Sequence, residues 1–231
     1  MAANAVTMKK QFLALCILVL TATATEAQTL RAGVNFSNIS ITDDGDVNEN
    51  RTLTGFQVGF TANMRLIPFI FFQPGIIFTG KGAKTESGES TGDTYYKATT
   101  NPYYIEIPAN FVLKTPGPIK LFVGAGPYLA VGIGGKNKVE GKFLGTSFTN
   151  ETNIKWSDDD PSTLDYEEGA GFGIMKRFDY GLNATAGIEL PNSVIAIHYG
   201  HGLAKLQSGS DSNDNDNNKH RVLSLTLGIK L

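Results

Sequence analysis

The chain has 231 residues, a single cysteine (Cys16), a single tryptophan (Trp156) and three histidines. Cys16 lies inside a segment that reads as a removable export signal. Without it the remainder has no thiol, which excludes disulfides, cysteine-ligated zinc and cysteine nucleophiles. An excess of positive charge is missing as well, with 20 Lys and Arg against 22 Asp and Glu. Setting aside Lys9, Lys10 and Glu26 leaves 18 basic and 21 acidic side chains, a net of −3. Such a surface offers no grip on a nucleic-acid backbone, so no nucleic-acid partner is expected. Finally, no apolar run after Ala27 approaches the roughly 18 residues that mark a helical span. If this part of the chain enters a membrane it must do so as a closed β-barrel, the other architecture that satisfies every backbone hydrogen bond in lipid.

What is present begins with the amino terminus. Lys9 and Lys10 precede an apolar stretch from Phe12 to Leu20, and small residues follow down to Thr25, Glu26 and Ala27. A basic start, a short apolar core and a small residue before the cut make a secretory signal. The apolar stretch is too short for the roughly 20 residues of a membrane anchor. The expected division is therefore a signal peptide over residues 1–27, with translation starting at Met1 or Met8, and one domain over 28–231.

In that domain the dominant period is two. Leu30, Ala32, Val34 and Phe36 alternate with Arg31, Gly33, Asn35 and Ser37, and Phe56, Val58 and Phe60 alternate with Gln57, Gly59 and Thr61. Six further segments, at 69–81, 103–113, 121–133, 179–190, 194–202 and 223–231, read as strands in the same way. The second face carries glycine, amides and threonine rather than the Lys and Glu of a solvated sheet. The connections alternate in length. Tight turns at 64–68, 114–118 and 191–193 are rich in Pro, Gly and Asn, whereas the stretches at about 42–51, 82–101, 135–177 and 204–219 are long and polar. The expected fold is all-β: an eight-stranded antiparallel up-and-down transmembrane β-barrel with short periplasmic turns and long external loops. It implies an outer-membrane location with both termini in the periplasm. Phe56, Phe69, Tyr103, Phe178, Tyr180 and Tyr199 sit near strand ends, as interfacial girdles do. A soluble calyx would instead place apolar residues inside and charges outside.

Arg31, Glu106, Glu189, His198 and Lys230 fall on the polar face and are expected to point into a lumen just wide enough for side chains. Charges there must be paired, and Arg31 and Lys230 are expected to pair with Glu189 as a structural lock. No spacing fixes a nucleophile beside His198, His201 or His220, so no enzyme is expected. In the run from Asp211 to Lys219, Asp214 and Asp216 begin like a calcium loop, but Lys219 replaces the turn glycine and Leu225 the closing glutamate, so neither metal nor cofactor is expected. The same applies to Asp43, Asp44 and Asp46 and to Asp158, Asp159 and Asp160. In the third long stretch, Phe143, Phe148, Trp156 and Tyr166 could form a partner surface.

Several stretches carry a family resemblance. Phe72-Gln73-Pro74-Gly75 leads to Gly80-Lys81-Gly82. Tyr104-Ile105-Glu106-Ile107-Pro108 is followed by Phe122-Val123-Gly124-Ala125-Gly126-Pro127-Tyr128. Further on come the run from Lys176 to Asn183, Ala186-Gly187-Ile188-Glu189, and the run from Arg221 to Gly228. Over about 30–231 these resemble the outer-membrane β-barrel domain family of Bacteroidota, called PorT-like. The resemblance implies an eight-stranded barrel and, more weakly, an accessory role in protein secretion or surface assembly with an envelope protein as partner. It brings no catalytic or ligand residues. The expected function is a structural or interaction barrel in outer-membrane lipid, monomeric, with a small solute-binding or pore-forming barrel as the alternative from another class.

Overall fold

The computed structural model describes residues 28–40, 42–43, 46–47, 50–88, 94–143, 145–156, 174–206 and 219–231. The signal reading at 1–27, Tyr166 and the aspartates at 158–160, 211, 214 and 216 lie outside the described residues. Eight long strands form a ring: β1 (Thr29–Ser40), β2 (Asn50–Thr61), β3 (Ile70–Gly80), β4 (Thr94–Lys114), β5 (Lys120–Phe143), β6 (Phe178–Glu189), β7 (Ser193–Gly202) and β8 (Lys219–Lys230). Each pairs antiparallel with the next, and β1 closes on β8 over its whole length, from Thr29 opposite Lys230 to Ser40 opposite Lys219. Closure leaves no exposed edge in the ring, as a membrane barrel requires. Following the registers once around from Leu30 returns to β1 at Ser40, ten residues along. With strands about 4.8 Å apart, that stagger tilts eight of them by about 40° and sets a radius of about 8 Å, a bore that side chains fill.

The period of two separates the faces throughout. Val34, Phe56, Val58, Leu121, Val123, Leu182, Ile197, Leu225 and Leu227 are exposed on the outside, while Asn35, Gln57, Thr79, Asn110, Thr185 and Thr226 are buried inside. An apolar exterior over a polar interior is the arrangement lipid demands. Glycine on the inner face lets the coiled sheet close: a Cβ on Gly126 would sit 2.1 Å from the Ala109 carbonyl oxygen and 2.7 Å from Asn110 Cα. Three tight turns join strand pairs at one end. In the second, Gly117 takes φ +112, and Thr115 both donates its N–H to the Leu121 carbonyl and accepts the Leu121 N–H at its hydroxyl, each at 2.9 Å. The first turn folds a short strand, Met64–Ile67, back onto β3. Gln28 and Leu231 meet at this same end, where the Leu231 N–H donates to the Gln28 carbonyl at 2.8 Å.

At the opposite end the structure departs from the expected loops. The stretches at 82–101 and 135–177 contain much strand: β4 begins at Thr94, β5 continues to Phe143, and two further strands, Ala83–Ser87 and Thr146–Asn153, flank them. Together they form a four-stranded arm that continues the sheet past the ring. Its residues (Thr, Lys, Asn, Glu) have no lipid on either side. The apolar alternation therefore stops where the strand does not. A bulge between Tyr103 and Tyr104 and the φ of +146 at Gly135 mark the point where the arm leaves the ring.

Candidate functional site

Two places could carry function: the lumen and the arm. The lumen is layered. Nearest the tight turns, Glu189 accepts from Lys114 at 2.6 Å and from Lys230 at 2.8 Å, with Lys120 at 3.7 Å on the rim. Asn63 Oδ1 accepts from Lys114 at 2.7 Å and from Gln73 Nε2 at 3.0 Å. The Lys114 ammonium also lies 4.7 Å over the Phe71 ring, which packs with Val112, Phe122 and Ala196. Arg31, expected on Glu189, stands elsewhere. Its Nη1 is 3.4 Å from His198 Nε2, which also meets the Thr226 hydroxyl at 2.9 Å. The reason for the difference is register: Lys114, on β4 and separated from β6 only by β5, engages Glu189 instead of Arg31.

Further out, Lys81 bridges two carboxylates, Glu106 at 2.7 Å and Asp179 at 3.0 Å, and all three are buried. The Tyr128 hydroxyl donates to Asp179 at 3.2 Å, its ring lies 4.3 Å from the Lys81 ammonium, and Asn183 donates to Glu106 at 3.1 Å. Low dielectric strengthens such a network only because its members satisfy one another. Above it, the Tyr104 ring packs edge-on against His220 and Trp156, both at 5.5 Å. Ile39, Ala83, Ile154, Met175 and Leu206 then form an apolar lid with Trp156 packed against it. The sequence reading missed Lys81, Lys114, Asp179 and this lid. Lys114 ends β4 and read as the first residue of a turn, and Lys81 follows directly on β3 at the end of a segment read as apolar on both faces, although both sit in phase with the inner face.

The four aromatic residues expected as a partner surface separate. Trp156 turns inward, its ring filling the space that a Cβ on Gly132 would take. Phe148 stays exposed on the Thr146–Asn153 strand, in one cross-strand row with Gly141 and Tyr96. The backbone of Phe143 ends β5, but its side chain lies outside the described residues, as does Tyr166. Charges of alternating sign cross the arm: Glu86, Lys97 and Glu140 face one another on successive strands, with Lys97 3.4 Å from Glu140. Lys138 donates to Glu140 at 2.7 Å, and this hydrogen bond holds the Glu140 carboxyl below the usual carboxylate range. Lys136 and Glu151 pair on the same arm, and the bond again lowers the carboxyl and raises the amine.

Among solved structures, the chain is similar to the attachment invasion locus protein Ail of Yersinia pestis. Identity is 16%, with 90% of this chain and 100% of that one covered at a TM-score of 0.40. It is also similar to Neisserial surface protein A, at 16% identity, 88% and 96% coverage and a TM-score of 0.39. The outer membrane enzyme PagL aligns at 11% identity over 88% and 98% of the chains with a TM-score of 0.43. No curated protein matches. The family model for the outer membrane protein beta-barrel domain matches residues 27–208, most of the chain. With a closed eight-stranded ring, an apolar exterior and a polar packed interior already in hand, this protein belongs to the outer membrane protein beta-barrel domain family.

Proposed function

We propose that this outer-membrane barrel is a non-enzymatic, non-conducting scaffold that presents its arm to another envelope protein, as an accessory to secretion or surface assembly. The observation that supports this reading is the contrast between the two ends of the molecule. The lumen is cross-linked by ion pairs from Glu189 to Asp179 and covered by the Trp156 lid, whereas the arm projects as an ordered sheet whose last strand, Thr146–Asn153, is exposed at every residue. Strand edges and exposed aromatic residues on a rigid sheet suit protein recognition. The finer assignments belong to the same reading: a cleaved signal at 1–27, tight turns and both termini in the periplasm, the arm outside, and kinship with the PorT-like barrels of Bacteroidota.

The test is a chain whose arm is cut back by two short turns, one joining Lys84 to Thr99 and one joining Lys136 to Asn153, which leaves the ring and the lid in place. The barrel should still reach the outer membrane and still migrate as a compact species until boiled, while the set of secreted and surface proteins changes. An unchanged set would reject the accessory role. Discrete conductance steps in planar bilayers from the intact chain would favour the pore alternative instead.

A further inference from the structure

We propose that the lumen binds one small monovalent inorganic anion, a halide, between Arg31, Thr29 and Lys114. The starting point is charge. Among the described residues, four cations face the interior of the ring (Arg31, Lys81, Lys114 and Lys230) against three carboxylates (Glu106, Asp179 and Glu189). The pairing is uneven. Lys81 takes two carboxylates for itself, and the Glu189 carboxylate is shared by Lys114 and Lys230. Arg31, 8% exposed, has no carboxylate within ion-pair distance among the described residues; its side-chain hydrogen-bond partner is His198, and the carboxylate whose charge reaches it, Glu106, is already held by Lys81. A buried cation without an ion pair is costly, because it gives up its hydration and gains no opposite charge in contact.

Second, donors converge where this charge stands. Arg31 Nε and the Thr29 hydroxyl are buried without a hydrogen-bond partner, and both residues line one internal cavity together with Lys114, Thr61, Gln73 and Thr226. Glu189 borders the same cavity, but both of its oxygens are engaged by lysines. The cavity has room for about one or two water molecules, the scale of a halide rather than of a sulfate or phosphate. A dianion would also overshoot an excess of one positive charge. Water could satisfy the Thr29 hydroxyl but would leave the charge uncompensated. A halide does both, accepting from Arg31 Nε and from the hydroxyl while sitting beside the Lys114 ammonium.

The experiment compares sodium chloride, sodium bromide and sodium gluconate at equal ionic strength. It uses the full barrel folded in phosphatidylcholine vesicles and reads the temperature at which the compact species is lost on unboiled gels. A bound halide stabilises the folded form by mass action. The midpoint should therefore be higher in chloride and bromide than in gluconate. The difference should shrink or vanish in Thr29→Val, which keeps the shape and removes the hydroxyl, and in Arg31→Gln if that chain folds. General salt effects act on parent and variants alike, so the loss in the variants is the diagnostic result. Bromide-soaked crystals should show an anomalous peak between Arg31 and Thr29. Equal midpoints in all three salts, or a halide effect undiminished in Thr29→Val with no peak at Arg31, overturns the proposal and leaves water as the occupant.

Discussion

Glu189→Gln tests whether the ion pairs of the lumen hold the barrel together. The Glu189 carboxylate receives two ammonium groups, from Lys114 on β4 at 2.6 Å and from Lys230 on β8 at 2.8 Å, and so ties β4 and β8 to β6. An amide keeps the shape but removes the charge. Lys230, with its side chain 19% exposed, can turn towards water, and its half of the loss is discounted accordingly. Lys114, at 4%, cannot, and is left with Asn63 and the Phe71 face. Breaking a buried pair from one side costs about 3–5 kcal/mol. We take the lower end, about 3 kcal/mol, roughly a hundredfold in the folded-to-unfolded ratio. Urea unfolding in phospholipid vesicles, followed by the compact band on unboiled gels, measures it. Because most of that cost is a stranded cation, the double variant Glu189→Gln with Lys114→Met should recover about 2 kcal/mol. A single variant within about 0.5 kcal/mol of the parent, or a double variant no better than the single, would refute a role for the buried pair in stability.

Four other outcomes are expected. Gly126→Ala places a methyl 2.1 Å from the Ala109 carbonyl, and backbone cannot yield as a flexible side chain can, so the folded fraction after refolding should fall, with a cost of about 1–3 kcal/mol. Leu225→Arg, on the lipid face between Val34 and Ile197, should cost about 2–4 kcal/mol in a bilayer and less in short-chain detergent. Trp156 is the only tryptophan, so Tyr104→Ala, which removes the ring it packs on, should shift its emission to the red; an unchanged spectrum would mean that the lid does not rest on Tyr104. Glu140 is held below its usual range, so the stability it lends the arm is present above the unfolded carboxyl value and lost as pH falls through the folded one. Pepsin cleavage within the arm, normalised to the same protease on the unfolded chain, should accelerate over that acidic window in folded barrels, and Glu140→Gln should reduce the acceleration, with Glu151 retaining its share.

The ring was readable in the amino-acid order because lipid imposes a simple rule on each spanning residue. Val34, Val58, Val123 and Leu225 face hydrocarbon while Asn35, Gln57, Thr185 and Thr226 face the bore, and alternation with glycine and turn formers locates eight strands and three tight turns. The rule lapses at both margins of the membrane. Beyond Tyr103 the strands of the arm are wet on both sides, so Lys97, Lys138, Thr149 and Glu151 carry no apolar signal, and what holds them in register is hydrogen bonding and cross-strand charge. In the lumen, alternation shows that a residue points inward but not which opposite wall it meets. Glu189 and Lys230 lie on strands separated only by β7, and Lys114 reaches the same carboxylate across β5 from the other side. Those partners depend on the shear of the closed ring, a global quantity that no single strand encodes. Arg31 illustrates the consequence: its phase was evident and its partner was not, because ten residues of stagger carry Lys114, rather than Arg31, to Glu189. The same stagger sets Arg31 between His198 and an unpartnered Thr29 hydroxyl, so the geometry that closes the barrel also leaves an internal cation with no ion pair among the described residues.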